Sequence, residues 1–68
     1  MVTGTVKWFN ATKGFGFITP DEGGKDAFVH ISEVERSGLG QLAEGQRVNF
    51  SIKQEPRGLK AVDLAAAD

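Results

Sequence analysis

The sequence predicts an all-β fold, a small sheet of five antiparallel strands closed into a barrel. Three observations carry this. Nine glycines break the 68 residues into short segments, the punctuation of strands and turns. No stretch of about ten residues or more repeats its apolar positions every 3.6 residues, so long helices are not expected. An open sheet of this size would leave its edges and one face uncovered, and closure into a barrel removes both problems.

Thr3 to Phe9, rich in β-branched and aromatic residues, reads as the first strand, and Asn10 to Lys13 as a polar turn. The second strand runs from Gly14 to Thr19 and is stopped by Pro20, which cannot donate to a ladder. Asp21-Glu22-Gly23-Gly24 is a hairpin turn signal. The third strand spans Asp26 to Ile31. Ser32-Glu33-Val34-Glu35 has the spacing of a capping box with Ser32 as the cap, but Gly38 and Gly40 follow so soon that one helical turn is expected. Residues 36–45 read as a long loop. Arg47 to Lys53 alternates cleanly, with Val48, Phe50 and Ile52 inward and Lys53 on the wet face. Pro56-Arg57-Gly58 forms a turn, Leu59 to Leu64 the last strand, and residues 65–68 a fraying tail. The expected core is Val6, Ile18, Val29, Ile31, Val48, Phe50, Ile52, Val62 and Leu64.

Length and composition bound the function. The chain reads as a single domain, residues 1–68. It has no cysteine and one histidine, so disulfides, cysteine-based metal sites and multi-histidine metal sites are excluded. An unstapled core of this size supports about 3–5 kcal/mol of stability. No segment approaches the roughly 20 apolar residues of a membrane span, and the first residues lack the pattern of a signal peptide, so the expected location is the cytoplasm. The formal net charge is -1, but acids crowd residues 21–35 while Lys7 and Lys13 before them, and Arg36, Arg47, Lys53, Arg57 and Lys60 after them, form two basic stretches.

The chain has five phenylalanines, one tryptophan and no tyrosine, and all but Phe50 lie in its first half: Trp8, Phe9, Phe15, Phe17 and Phe28. Alternation puts Phe15 and Phe17 on one face of the second strand, opposite Gly14, Gly16 and Ile18, and puts Phe28 with His30 on one face of the third. If these rings point inward they form the core; periodicity by itself favours this, because buried phenylalanine is the common case. Three features oppose it. Phe28 shares its face with a polar histidine, aliphatic residues already suffice to fill a small barrel, and Lys7 and Lys13 stand beside the rings. Rings interleaved with lysines suit a single nucleic-acid strand, whose bases stack for about 1–3 kcal/mol each. Having both Lys7 and Trp8 outward requires a bulge near them.

Residues 7–10 (KWFN), 13–18 (KGFGFI) and 28–30 (FVH) resemble the cold-shock protein family, and the resemblance extends from Val2 to about Leu64. It implies a five-stranded barrel of the oligonucleotide-binding type that binds single-stranded DNA and single-stranded RNA on an outward aromatic face. It assigns stacking to Trp8, Phe15, Phe17, Phe28 and His30, phosphate or polar contacts to Lys7, Asn10, Lys13, Asp26 and Arg57, and a partly inward place to Phe9. The implied role is that of an RNA chaperone, with transcription antitermination or translational regulation as outlets, and with no catalysis, metal or cofactor; a monomer is expected. Many members carry an aromatic where this chain has Ile31, and another where it has Leu39. Losing those rings predicts affinity about tenfold or more below an all-aromatic relative, offset in part by guanidinium stacking of Arg36.

Other readings are weaker. Gly14-Phe15-Gly16 lacks the third glycine and the following helix of a dinucleotide loop. His30 has no nucleophile to serve, Ser32 being better explained as a cap. The acid pairs Asp21/Glu22 and Glu33/Glu35 read as solvated or as repelling phosphate away from that edge. A barrel that uses the same rings for a proline-rich peptide remains the alternative from another class, and an enzyme lacks any metal or nucleophile constellation.

Overall fold

A computed structural model describes residues 1–67. Its elements, in order, are β1 (Val2–Asn10), β2 (Phe15–Pro20), β3 (Ala27–His30), α1 (Ile31–Ser37), β4 (Arg47–Glu55) and β5 (Gly58–Ala66). The five strands close into a barrel in the order β1-β2-β3-β5-β4. Antiparallel ladders join β1 to β2 and β4, β2 to β3, and β4 to β5. A single parallel pairing, Phe28 with Lys60, joins β3 to β5 and completes the ring.

The interior is aliphatic. Val6, Ile18, Ala27, Val29, Val34, Leu42, Val48, Phe50, Ala61 and Leu64 are buried, and Phe50 is the only aromatic among them. The outward assignment of Phe15, Phe17 and Phe28 is therefore the one observed: all three are only half-buried, whereas Ile18 and Val29 from the opposite faces are fully buried. The expected bulge is present as a register shift between Val6 and Trp8, where Val6 pairs with Ile18 and Trp8 with Phe17. Lys7 is the extra residue. It lets Val6 point inward and lets both Lys7 and Trp8 face out.

Gly16 makes this junction possible. A Cβ there would sit 2.3 Å from the Trp8 carbonyl oxygen and 2.7 Å from Phe9 Cα. Only glycine allows β1 to lie this close to β2.

Several expectations are corrected. The helix is α1, with 7 residues rather than one turn. It starts at Ile31, which was expected to end the third strand, because His30 and not Ser32 is its N-cap. Its stop is as expected, at Gly38 in the left-handed conformation, whose N–H donates to the Glu35 carbonyl. Val34 on α1 and Leu42 in the long loop supply core volume that strand alternation did not reveal.

Ile52 shares a side of the sheet with its partner Ala61 but is 40% exposed. β1 reaches along β4 only as far as the pairing of Val2 with Phe50, so Ile52 projects past the barrel wall. In β5 the ladder shifts between Asn49 and Ser51 of its partner, next to Asp63 with φ 54. The extra residue breaks the alternation, so Ala61 and Leu64 point inward in place of Val62 and Leu64. Ile31 is half-buried beside Gly14 rather than in the core. Ala65 and Ala66, expected to fray, pair with Asn49 and Val48; the last residue of that tail lies outside the described residues.

Gly16→Ala is expected to lower stability by about 2–3 kcal/mol, the upper range for overpacking, because its Cβ would collide with backbone. Gly23→Ala meets open space and only the strain of φ +89, so about 1 kcal/mol is expected. Urea denaturation of the two variants checks the order.

Candidate nucleic-acid interface

The register lines the outward side chains into two rows across the sheet. Trp8 pairs with Phe17, Phe17 with Phe28, Phe28 with Lys60, and Lys60 with Lys53. Beside this row, Asn10 pairs with Phe15 and Phe15 with His30. Paired residues in a ladder carry their side chains on the same face, so the rows form a platform of rings with cations at one end.

The rings touch. Trp8 lies 5.5 Å from Phe15 and 5.4 Å from Phe17, centroid to centroid. Phe15 stacks on Phe28 at 5.7 Å with 28° between planes, and Phe17 meets Phe28 edge-on at 5.9 Å. The His30 ring continues the surface 6.4 Å from Phe28. Mutual contact fixes the rings while leaving part of each to solvent; Trp8 remains 37% exposed. Phe9, after the bulge, is half-buried and packs against the core.

The polar residues expected at the site have distinct local roles. Asn10 Oδ1 accepts the Lys13 N–H at 2.9 Å, and the Asn10 carbonyl accepts the Gly14 N–H at 2.8 Å. These bonds shape the β1–β2 turn and set Lys13 at its exposed tip. Lys7 Nζ donates to Asp26 Oδ2 at 3.1 Å, and Thr19 Oγ1 donates to the other carboxylate oxygen at 3.0 Å. The hydrogen bond from Lys7 first, and that from Thr19 second, hold the Asp26 carboxyl below the ordinary value of 3.8.

Arg57 sits on the β4–β5 turn and lines a groove of about 680 Å³ that adjoins Phe17 and Phe28. Lys25, Pro56 and Lys60 line the same groove, and sequence reasoning did not select them. Their one available signal was charge and turn chemistry; their place beside Phe28 depends on the parallel closure of β3 on β5. The side chains of Lys13, Lys25, Arg57 and Lys60 make no ion pair among the described residues.

Lys53, on the wet face as expected, stands across from Lys60, and Glu55, which it meets at 3.6 Å, lines the groove. Arg36 is 3.7 Å from Glu33 and lines a different cavity with Asp63 and Leu64, so it is engaged elsewhere than on the rings. Leu39 packs against the core. Ile31 is the first residue of α1.

A closed five-stranded barrel with an outward cluster of rings and a cationic groove alongside is a barrel of the oligonucleotide-binding type. Comparison with known proteins agrees. The family described as the 'Cold-shock' DNA-binding domain matches residues 2–67. The chain is 58% identical over 60 residues to a Sinorhizobium fredii protein named "Probable cold shock protein y4cH", covering 88% of this chain and 87% of that one. It is 52% identical over 65 residues to the cold shock protein CspV of Vibrio cholerae, covering 96% and 93%. Identity to the cold shock-like protein CspE of Escherichia coli is also 52% over 65 residues, covering 96% and 94%. The chain belongs to the cold-shock domain family, a family that binds DNA and RNA and is not catalytic. Among the described residues no helix is long and apolar enough to cross a membrane.

Because the folded Asp26 carboxyl titrates below its unfolded value, the Lys7–Asp26 pair contributes fully above pH 3.8 and is lost as pH falls through the lowered folded value. Lys7→Ala is expected to raise the Asp26 midpoint toward 3.8, read from its carboxyl carbon in an NMR titration. An unmoved midpoint would mean that the pair does not form in solution.

Proposed function

We propose that residues 1–68 act as one cold-shock domain that binds single-stranded RNA and single-stranded DNA. Bases stack on Trp8, Phe15, Phe17, Phe28 and His30. Lys7, Lys13 and Arg57 take phosphates, and Asn10 and Asp26 make polar contacts with the strand. The observation that carries this reading is the row from Trp8 through Phe17 and Phe28 to Lys60, in which adjacent rings run directly into a cation that makes no ion pair among the described residues. Stacking accepts every base, so binding is weakly sequence-selective. A duplex binds poorly, because its bases are not presented to the rings.

A protein that holds single strands competes with intramolecular base pairing. It keeps RNA unstructured without consuming ATP and so serves as an RNA chaperone, with transcription antitermination and translational regulation as its outlets. The reading includes a monomer in the cytoplasm, without catalysis or a small-molecule substrate.

Trp8 is the only tryptophan and there is no tyrosine, so its fluorescence reports from one place on the platform. Titration with heptathymidine is expected to quench it. If about 3–5 phosphates are neutralised, log K falls against log salt with a slope of about -2 to -3.5. Phe15→Ala combined with Phe17→Ala is expected to weaken binding at least thirtyfold, since each ring supplies about 1–3 kcal/mol. Circular dichroism of the double variant should remain that of the folded barrel. Unfolding instead would place the rings in the core, and unaltered binding would remove them from the site. Lys13→Ala should weaken binding and flatten the salt slope, whereas Arg36→Ala, at the other cavity, should do neither.

A further inference from the structure

His30 is an unusual helix cap. Ser, Thr, Asp and Asn commonly fill this place. Here the histidine sits at the end of β3 with extended backbone, φ -98 and ψ 149, and its ring accepts the backbone N–H of Ser32. That hydrogen bond, Ser32 N to His30 Nδ1, measures 3.1 Å, and Ser32 Oγ lies 2.9 Å from the same nitrogen. The position of His30 is fixed on both sides: it pairs with Phe15 in the β2–β3 ladder, and the next residue, Ile31, donates its N–H to the Gly14 carbonyl at 2.8 Å.

The chemistry of this contact determines the tautomer. A backbone N–H can only donate, so while this bond is made Nδ1 presents its lone pair to Ser32, and the hydroxyl at 2.9 Å helps to hold the ring in that arrangement. A neutral imidazole with an unprotonated Nδ1 carries its proton on Nε2. The Ser32 hydroxyl can donate or accept, and beside an unprotonated nitrogen it donates. Both bonds end on Nδ1, and Nε2 has no partner among the described residues. The Nε2–H therefore lies on the far side of the ring from the helix, at the open edge of the platform next to Phe28.

We propose that Ser32 is a positioning residue that locks His30 in the Nε2–H form, making this end of the platform a fixed hydrogen-bond donor for an acceptor oxygen of the bound strand. The inference rests on the reading of the rings as a single-strand platform. Stacking alone would be indifferent to the tautomer. A locked donor selects an oxygen, from a base carbonyl or a phosphate, and rejects a donating amine at the same place. One residue thus ends the strand, starts the helix and presents an oriented polar atom, so the short helix α1 is coupled to the binding face.

The protein has one histidine, so its imidazole nitrogen signals are unambiguous by NMR. The free protein is expected to show an unprotonated Nδ1 and a protonated Nε2, with a scalar coupling across the hydrogen bond between the Ser32 amide nitrogen and Nδ1. A protonated Nδ1, or an averaged pair of tautomers without that coupling, would overturn the lock. On addition of heptathymidine the Nε2 proton should become slow to exchange and shift. Heptathymidine with a single abasic site, moved through each position in turn, keeps the stacking of the other bases; it should produce the same change at every position if the oxygen is a phosphate's, and lose it at one position if it belongs to a base.

Ser32→Ala keeps the backbone N–H and removes the hydroxyl. It is expected to admit some of the Nδ1–H tautomer and to weaken heptathymidine binding about two- to tenfold, the range for one hydrogen bond. Ser32→Thr restores both readouts. A merely structural cap would change thermal stability without moving the tautomer ratio and affinity together. If heptathymidine leaves Trp8 fluorescence of the unaltered protein unchanged, the platform reading falls and the ligand half of this inference falls with it. If Trp8 responds while the Nε2 proton still exchanges with solvent, this inference falls alone.

Discussion

The contact on which the site depends is between two backbones. β1 crosses β2 so closely at Gly16 that any side chain there would strike the Trp8 carbonyl oxygen. That approach accompanies the bulge at Lys7, and the bulge reverses the facing of everything after it. Without the extra residue, Trp8 would follow Val6 inward and Lys7 would face out alone. With it, Trp8 joins Phe17 in register while Val6 keeps its place in the core. A one-residue slip of this kind cannot be absorbed elsewhere, because strand alternation transmits it along the ladder.

Closure of the barrel supplies the second half of the arrangement. The parallel pairing of Phe28 with Lys60 brings β5 against the edge of the aromatic row, and the β4–β5 turn carries Arg57 to the same side. The site is locally cationic in a chain whose formal net charge is -1. The acids are dispersed or engaged: Asp21 is held by Arg47, Glu33 by Arg36, and Asp26 by Lys7 and Thr19. Lys7 with Asp26, and Lys53 with Glu55, are thus the cations of the platform that already have a carboxylate partner. Any phosphate that reaches either of them exchanges one anionic partner for another, whereas Lys13, Lys25, Arg57 and Lys60 make no ion pair among the described residues. Net charge was a poor guide here because association responds to local potential within about a Debye length of 8–10 Å, and not to the sum over the chain.

How far the sequence discloses this follows the range of the interactions. Alternation within β2 and β3 is local, so the shared face of Phe15, Phe17, Phe28 and His30 could be read directly, although not which way it pointed. The bulge was deducible because Lys7 and Trp8 are adjacent and could not both face out otherwise. The extent of α1 was not, since its start is set by a histidine cap that no helix-start rule favours. Val34 and Leu42 entered the core from segments without strand periodicity, and Val62 left it because the extra residue at Asp63 shifts alternation in β5. Lys60 and Lys25 escaped notice because their neighbourhood with Phe28 exists only after the parallel strand pair forms, a contact between residues far apart in the chain.

The same economy separates stability from binding. Phe50 and aliphatic residues fill the barrel, so Trp8, Phe15, Phe17 and Phe28 are released from core duty and need only hold one another. Their edge-to-face and offset contacts contribute about 0.5–1.5 kcal/mol each beyond burial, less than the stacking that a bound base offers. A ring on this surface can therefore be lost at modest cost to the fold and large cost to the site. Gly16 and His30 do not share that freedom. The first sets the register that aligns the rings, and the second joins the platform to the helix, so changes at either reach the fold and the face together. These two positions, one without a side chain and one with an atypical cap, are where the architecture and the site are the same structure.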